Sequence, residues 1–352
     1  GPGNADIDTD VASAAITNDS SGDVVLTEAD GLDLTGASLE AGSLSITVTA
    51  GDFENTGAID ITSSGDIRVE ALDGAVNASA DSTTDDGRIH FIAANDIDVA
   101  ASALIASDGL ADTILFVADN LGMAADATLR TNGGDILVDA AGAIALGLID
   151  ARAPADRDAG ARGAQGDWGS ISLDAVGAVT DAGTTGTNLY ADDLTVLAAS
   201  AGAASNPLET EAAALSASTA SGIFIDEATA LAVEDTTATA FTINDLLDGY
   251  GSTTVASDGD LTTTNNGPIV LRVLTEDLTL NDGADADGNA VVADGSGSVR
   301  LETQGGALVA NADIRSTSGV ITVVGETNVS LNANVDLLTA ADVSVDAETG
   351  AL

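Results

Sequence analysis

"GSVRLETQGGALVANADIRSTSGVITV", residues 297–323, holds three short alternating segments and the start of their next copy. "GSVRL" at 297–301 returns as "GVITV" at 319–323 and "ADVSV" at 341–345, always at the same interval. "GALVA" at 306–310 is answered by "TNVSL" at 327–331, and "ADIRS" at 312–316 by "ANVDL" at 333–337. A fixed period of this length is the mark of a stacked repeat, each copy being one structural unit. The same grammar runs upstream through "GSLSI" at 42, "GDIRV" at 65, "GRIHF" at 87, "DTILF" at 112, "GDILV" at 134 and "GSISL" at 169. Most steps keep close to that period, and an insertion accounts for the long one between Gly134 and Gly169.

Period-two alternation sets Ile136 and Val138 on one face and Asp135, Leu137 and Asp139 on the other. Strands of about five residues are too short to stand alone, and no helical pattern separates them as a βαβ unit requires. The economical fold is a parallel β-helix of three short strands per turn of about 22 residues, in which equivalent strands of successive turns pair and their inward aliphatics form one core. Gly at each strand entrance serves a tight bend, and Asp and Asn close the turns. Thirteen or fourteen turns at about 4.8 Å each predict a body on the order of 65 Å long. An immunoglobulin-type sandwich array is the competing fold. It calls for a repeat near a hundred residues and for buried aromatic landmarks, which the short period and the 2% of aromatic residues do not supply.

Composition bounds function more than it names one. The chain of 352 residues carries 57 acidic residues against 9 basic ones, all arginine, for a net charge of -48. Phosphate recognition needs a basic stripe, so nucleic acid is excluded as a partner, and an anionic membrane surface is disfavoured by the same sign. So acidic a surface suits a salty or calcium-containing exterior. There is no cysteine, hence no disulfide framework or thiolate metal site. No apolar run is long enough to span a membrane, and the start shows no signal-peptide pattern. The opening "GPG" reads as a scar of tag cleavage, and the repeat grammar runs up to the final residues. The chain is therefore expected to be one elongated segment, residues 1–352, of a longer polypeptide whose export signal lies elsewhere, and the fragment is expected to stack end to end.

"GSISLDAVGAVTD" at 169–181, "SNPLETEAAALSASTASGIFIDEATAL" at 205–231 and "GVITVVGETNVSLNANVDL" at 319–337 resemble the haemagglutinin-like repeat regions of very long bacterial surface and secreted proteins, the filamentous-haemagglutinin type of right-handed parallel β-helix. The resemblance covers most of the chain and implies an extracellular or cell-surface stalk or adhesin segment. Its partners would be adjacent repeats of the same chain and a cell surface or glycan. It transfers no functional residue, because the shared motif is core and turn.

Three insertions interrupt the period, at 152–168, 235–252 and 281–296. The first holds Arg152, Arg157, Arg162 and the single tryptophan, Trp168, the residue types that dominate interface hot spots, and is the candidate partner contact. In the plainer reading the arginines neutralise Asp156, Asp158 and Asp167 while Trp168 covers the side of the helix. The second includes "FTINDLLDGYG" at 241–251, expected to be a short helical or looped excursion whose apolar underside packs on the solenoid. In the third, Asp282, Asp285, Asp287, Asn289 and Asp294 reproduce much of an EF-hand-like loop and form a candidate calcium site. Gly283 falls at the first ligand position, however, and Asp and Asn are also ordinary turn residues. His90, the only histidine, alternates away from Ile89 and Phe91 and is expected at the solvent surface.

No catalytic constellation emerges. β-Helices also carry polysaccharide-binding and polysaccharide-degrading enzymes, but with no lysine, scattered arginines and few aromatic platforms the expectation here is a non-enzymatic structural or adhesive segment.

Overall fold

Each alternating segment becomes a strand because copies of itself, one turn before and one turn after, satisfy its backbone on both sides. The computed structural model describes residues 6–158, 167–183 and 186–352. It is an all-β parallel solenoid of about 14 turns, as the periodicity predicts. Two compact units divide it: Gly1–Ser170 with Thr239–Thr254, and Ile171–Ala238 with Val255–Leu352.

In the first unit one ladder runs through Val24–Glu28, Leu44–Val48, Ile67–Ala71, Ile89–Ala93, Ile114–Ala118 and Ile136–Ala140. Its register never slips, so Leu26, Ile46, Val69, Phe91, Phe116 and Val138 stand in one inward column. All six are buried, and Phe91 and Phe116 stack with ring centroids 5.1 Å apart. Two further ladders complete each turn. One contains Val76–Ala78, Ile97–Val99, Leu121–Met123 and Ile144–Leu146. The other contains Ile59–Ser64, Ser82–Asp86, Leu104–Leu110 and Thr128–Asn132.

The second unit repeats the plan. Ile225, Leu271, Leu301, Val323 and Val345 form the inward column of its first ladder. Leu231, Leu278, Leu308 and Val329 head the strands of another.

The recurring glycine is explained by contact more than by torsion. Gly42 has φ 99°, but at Gly65, Gly87, Gly134 and Gly169 no positive φ is involved. At those corners a Cβ would collide with the turn below: 2.2 Å from the Gly42 carbonyl oxygen at Gly65, and 2.0 Å from that of Gly65 at Gly87. The carbonyls so packed are satisfied by buried hydroxyls, with Thr84 Oγ1 donating to Gly65 O at 2.7 Å and Ser316 Oγ to Gly297 O at 2.7 Å. One turn in the first unit breaks the column, since Asp112 stands where its neighbours have glycine.

Each unit also holds a buried glutamate at an inward corner. Glu28 is held by Thr9 and by the Val11 and Ala29 amides, and these bonds outweigh burial and lower its pKa. Glu227 accepts from Thr210 Oγ1, the Ala212 and Thr229 amides, and Thr229 Oγ1. Burial nevertheless pushes it up to about 8.

The second insertion is a β-hairpin, not the helical or looped excursion expected. Thr236–Ile243 and Tyr250–Ser257 pair, and the chain reverses at Asn244–Gly249, where Asn244 N donates to Gly249 O. Alternate amides of the outgoing strand read side chains of successive turns of the first unit: Thr239 N to Asp135 Oδ2 (2.7 Å), Phe241 N to Thr113 Oγ1 (3.1 Å) and Ile243 N to His90 Nδ1 (3.2 Å). Arg68 Nε donates to Ile243 O at 3.0 Å, one turn further on. Leu115 and Leu137, which alternate outward between these anchors, are buried beside them.

His90 does alternate away from the core, but the expected surface position is wrong. It is 5% exposed, because a strand distant in sequence lies over it. Burial, then the charge of Arg68, depresses its pKa to about 4. Its Nδ1 must be unprotonated to accept the Ile243 amide. A base depressed in the folded state gives stability that is complete above its unfolded pKa near 6.5 and lost as pH falls towards 4, on the order of 3 kcal/mol in all. Urea midpoints measured between pH 7 and pH 4 should fall more steeply for the native chain than for His90→Gln. Parallel pH curves for the two would remove this account.

Candidate ligand-binding trough

Where the hairpin returns, Tyr250 opens a trough on the first unit. Arg88 lies between two rings, its guanidinium carbon 4.4 Å from the Phe241 centroid and 5.0 Å from that of Tyr250. The Arg88 amide donates to Asp66 Oδ1 at 2.8 Å, and its guanidinium approaches the same oxygen at 3.8 Å. The Tyr250 hydroxyl also bonds to Asp66, and burial together with that carboxylate raises the phenol pKa. Tyr250 is thus fixed at its hydroxyl and along one face while 55% of its surface stays exposed.

The trough has a volume of about 450 Å³, and Gly22, Gly42, Gly65 and Gly87, one per turn, line it together with Asp23, Asp66, Asp86 and Asp112. Asp112 stands at the glycine position of its turn, and its Oδ2 is buried with no donor. Burial, then the neighbouring Asp86, raises its pKa, with Arg88 opposing. Four carboxylates against one guanidinium leave the trough negative.

The structure places the expected site residues as follows. Arg152 Nε and Nη2 engage Asp150 at 2.9 and 2.8 Å. Arg157 hydrogen-bonds Asn132, and burial lowers its pKa. Trp168 is 5% exposed, with Nε1 donating to Asp156 Oδ2 at 2.5 Å. Arg162 lies outside the described residues. The arginine and tryptophan side chains that are described therefore make contacts within the chain.

In the third insertion the aspartates first serve the loop itself. Asp282 Oδ1 accepts the Gly288 amide (3.1 Å), Asp285 Oδ1 that of Asp287 (3.3 Å), and Asp287 Oδ1 that of Asn289 (2.8 Å). Asn289 Oδ1 is turned to Arg315 Nη1 at 3.2 Å, and Asp294 contributes backbone bonds to Thr263 and Gly297. The carboxylates that converge are Asp285, Asp287 and Asp260, whose ligand atoms lie within 4.8 Å of one another. Burial, then Asp287, Asp285, Asp282 and Asp258, pushes Asp260 up to about 7. Asp260 comes from an earlier turn and lies outside the loop frame, so linear spacing did not reveal it.

A groove of about 350 Å³ on the second unit is lined by Phe224, Asp226, Arg272, Arg300 and Glu302. Its charges are mutually paired: Arg272 with Asp226, and Arg300 with Glu302. Comparison of the chain with protein-family models, curated proteins and solved structures finds no match.

Proposed function

We propose that this chain is a non-enzymatic stalk and adhesive segment of a large bacterial surface or secreted protein, of haemagglutinin-like type, with an extracellular location. The observation that supports this most directly is the unbroken register of the first ladder of each unit, which devotes its inward side chains to cohesion. Adjacent repeats of the same long chain are its structural partners, and a cell surface or glycan its external one. The test pairs two assays. Labelled protein should adhere to cells or immobilised glycans, and incubation with a panel of soluble polysaccharides should release no reducing ends. Absence of adhesion to every surface tried, together with no effect on cell attachment, would sink the adhesive half.

One observation favours a second reading, a polysaccharide-degrading enzyme. Asp86 and Asp112 form a carboxyl pair in which Asp112 is raised, the arrangement general acid catalysis uses. Reducing-end release that disappears in Asp112→Asn would replace the non-enzymatic reading with this one.

Calcium is the ion this reading would employ, held by Asp285 and Asp287 of the loop together with Asp260. At a net charge of -48, sodium chloride should raise the melting temperature by screening. Millimolar calcium should add a further shift of about 3 °C that magnesium does not reproduce and Asp285→Asn abolishes. Equal responses to both ions, or an unchanged variant, would leave screening alone.

A further inference from the structure

We propose that the trough of the first unit binds a neutral, β-linked polysaccharide chain lying along the solenoid axis, with Tyr250 as its stacking platform. This deepens the adhesive reading by giving it a site and a ligand class.

Five observations carry it. Tyr250 belongs to a chain in which aromatics are only 2% of residues, and yet its ring is largely exposed. Arg88 and Asp66 hold that ring in place, so little freedom remains to be lost when a sugar face settles on it. Gly22, Gly42, Gly65 and Gly87 line the trough, so its floor carries no side chain at these positions, and the close stacking of Gly42, Gly65 and Gly87 on the turns below keeps that floor continuous. The turns advance by about 4.8 Å, close to the advance per residue of an extended β-linked pyranose chain, so successive sugars meet successive turns and alternate sugars, which share an orientation, meet every second one. The polar groups alternate between serine hydroxyls, Ser21, Ser43 and Ser64, and aspartate carboxylates, which together accept and donate to sugar hydroxyls.

The sign of the charge selects the class. Asp23, Asp66, Asp86 and Asp112 outnumber Arg88, so uronates and sulfated or sialylated chains are repelled. Asp112, replacing glycine, adds a carboxylate to the trough lining in its turn.

Cellohexaose is the probe, with hexagalacturonate as its acidic counterpart, followed by calorimetry and by chemical-shift mapping. Cellohexaose should bind and hexagalacturonate should not. Tyr250→Ala should weaken binding at least tenfold with an unchanged circular dichroism spectrum, and Phe224→Ala, on the second unit, should leave it intact. Tyr250→Phe keeps the ring and should bind within about threefold of the native chain, which separates stacking from a folding defect. Failure of cellohexaose and of laminarihexaose to bind, equal binding of the acidic hexamer, or undiminished binding by Tyr250→Ala each overturns the proposal. Adhesion to cells that survives Tyr250→Ala would refute this site while sparing the adhesive reading. Tyr250-dependent cellohexaose binding without any cell adhesion would do the reverse.

Discussion

Removing Gly297–Ser318 should give a folded protein with one turn fewer. The deletion joins Ser296 to Gly319, reproducing the native Ser318–Gly319 junction, and the excised stretch matches one period. The ladder then closes on equivalent residues, Ile269 pairing with Ile321 in place of Val299, Leu271 with Val323 in place of Leu301, and Leu278 with Val329 in place of Leu308. Every replacement is aliphatic and inward, so the core loses a layer but not its continuity. Because a solenoid's stability is nearly a sum over neighbours, the melting temperature should fall by no more than about 5 °C. Removing only 297–307 should abolish cooperative unfolding of the second unit. That cut takes out the strand Val299–Thr303 and leaves Ile269–Val273 paired in register with Ile223–Glu227 alone, its other edge without an in-register neighbour. Calorimetry on the two deletions checks both statements, and a whole-turn variant that is as disrupted as the half-turn variant would contradict the repeat-wise account of stability.

Gly319→Ala should destabilise the second unit by about 3 kcal/mol, a drop of roughly 6 to 12 °C in melting temperature. The added methyl would lie 2.1 Å from the Gly297 carbonyl oxygen and 2.4 Å from its carbon. Both are backbone atoms fixed by the ladder, so the clash is relieved only by spreading two turns and weakening their hydrogen bonds. Gly31→Ala is the contrasting case, since its nearest neighbour, the Asp52 carbonyl oxygen, is 3.3 Å away and no positive φ is involved. It should cost less than about 1 kcal/mol. If the two variants melt together, the close-approach explanation of the glycine column fails.

The repeat, the three-strand turn and the identity of the inward residues were legible because they follow from a period that the chain writes many times. The glycine at strand entrances was legible as a marker, although its cause is the approach of the turn below, a contact between segments one whole turn apart. Four features were not fully legible, all for one reason. His90 reads as an exposed residue until the amide of Ile243, 153 positions later, is seen to cap it. Asp260 joins Asp285 and Asp287 from a separate turn, so no loop motif contains it. Asp112 already stands in the glycine position of the repeat, "DTILF" beside "GRIHF" and "GDILV", but its approach to Asp86 appears only when the turns are stacked. Tyr250 lies in a stretch noticed for its apolar underside, but the trough beside it is assembled from five turns that precede it by more than a hundred residues. Local patterning specifies a ladder; what lies across the ladder depends on residues that share no window of sequence.

The hairpin's anchors on Asp135, Thr113, His90 and Arg68 have a mechanical consequence. A bare solenoid pulled from one end can peel, each loop detaching after the last, so that the force needed is set by its weakest seam. A strand bonded across four consecutive loops ties them into a splint, and those bonds must shear together before any of the four can detach.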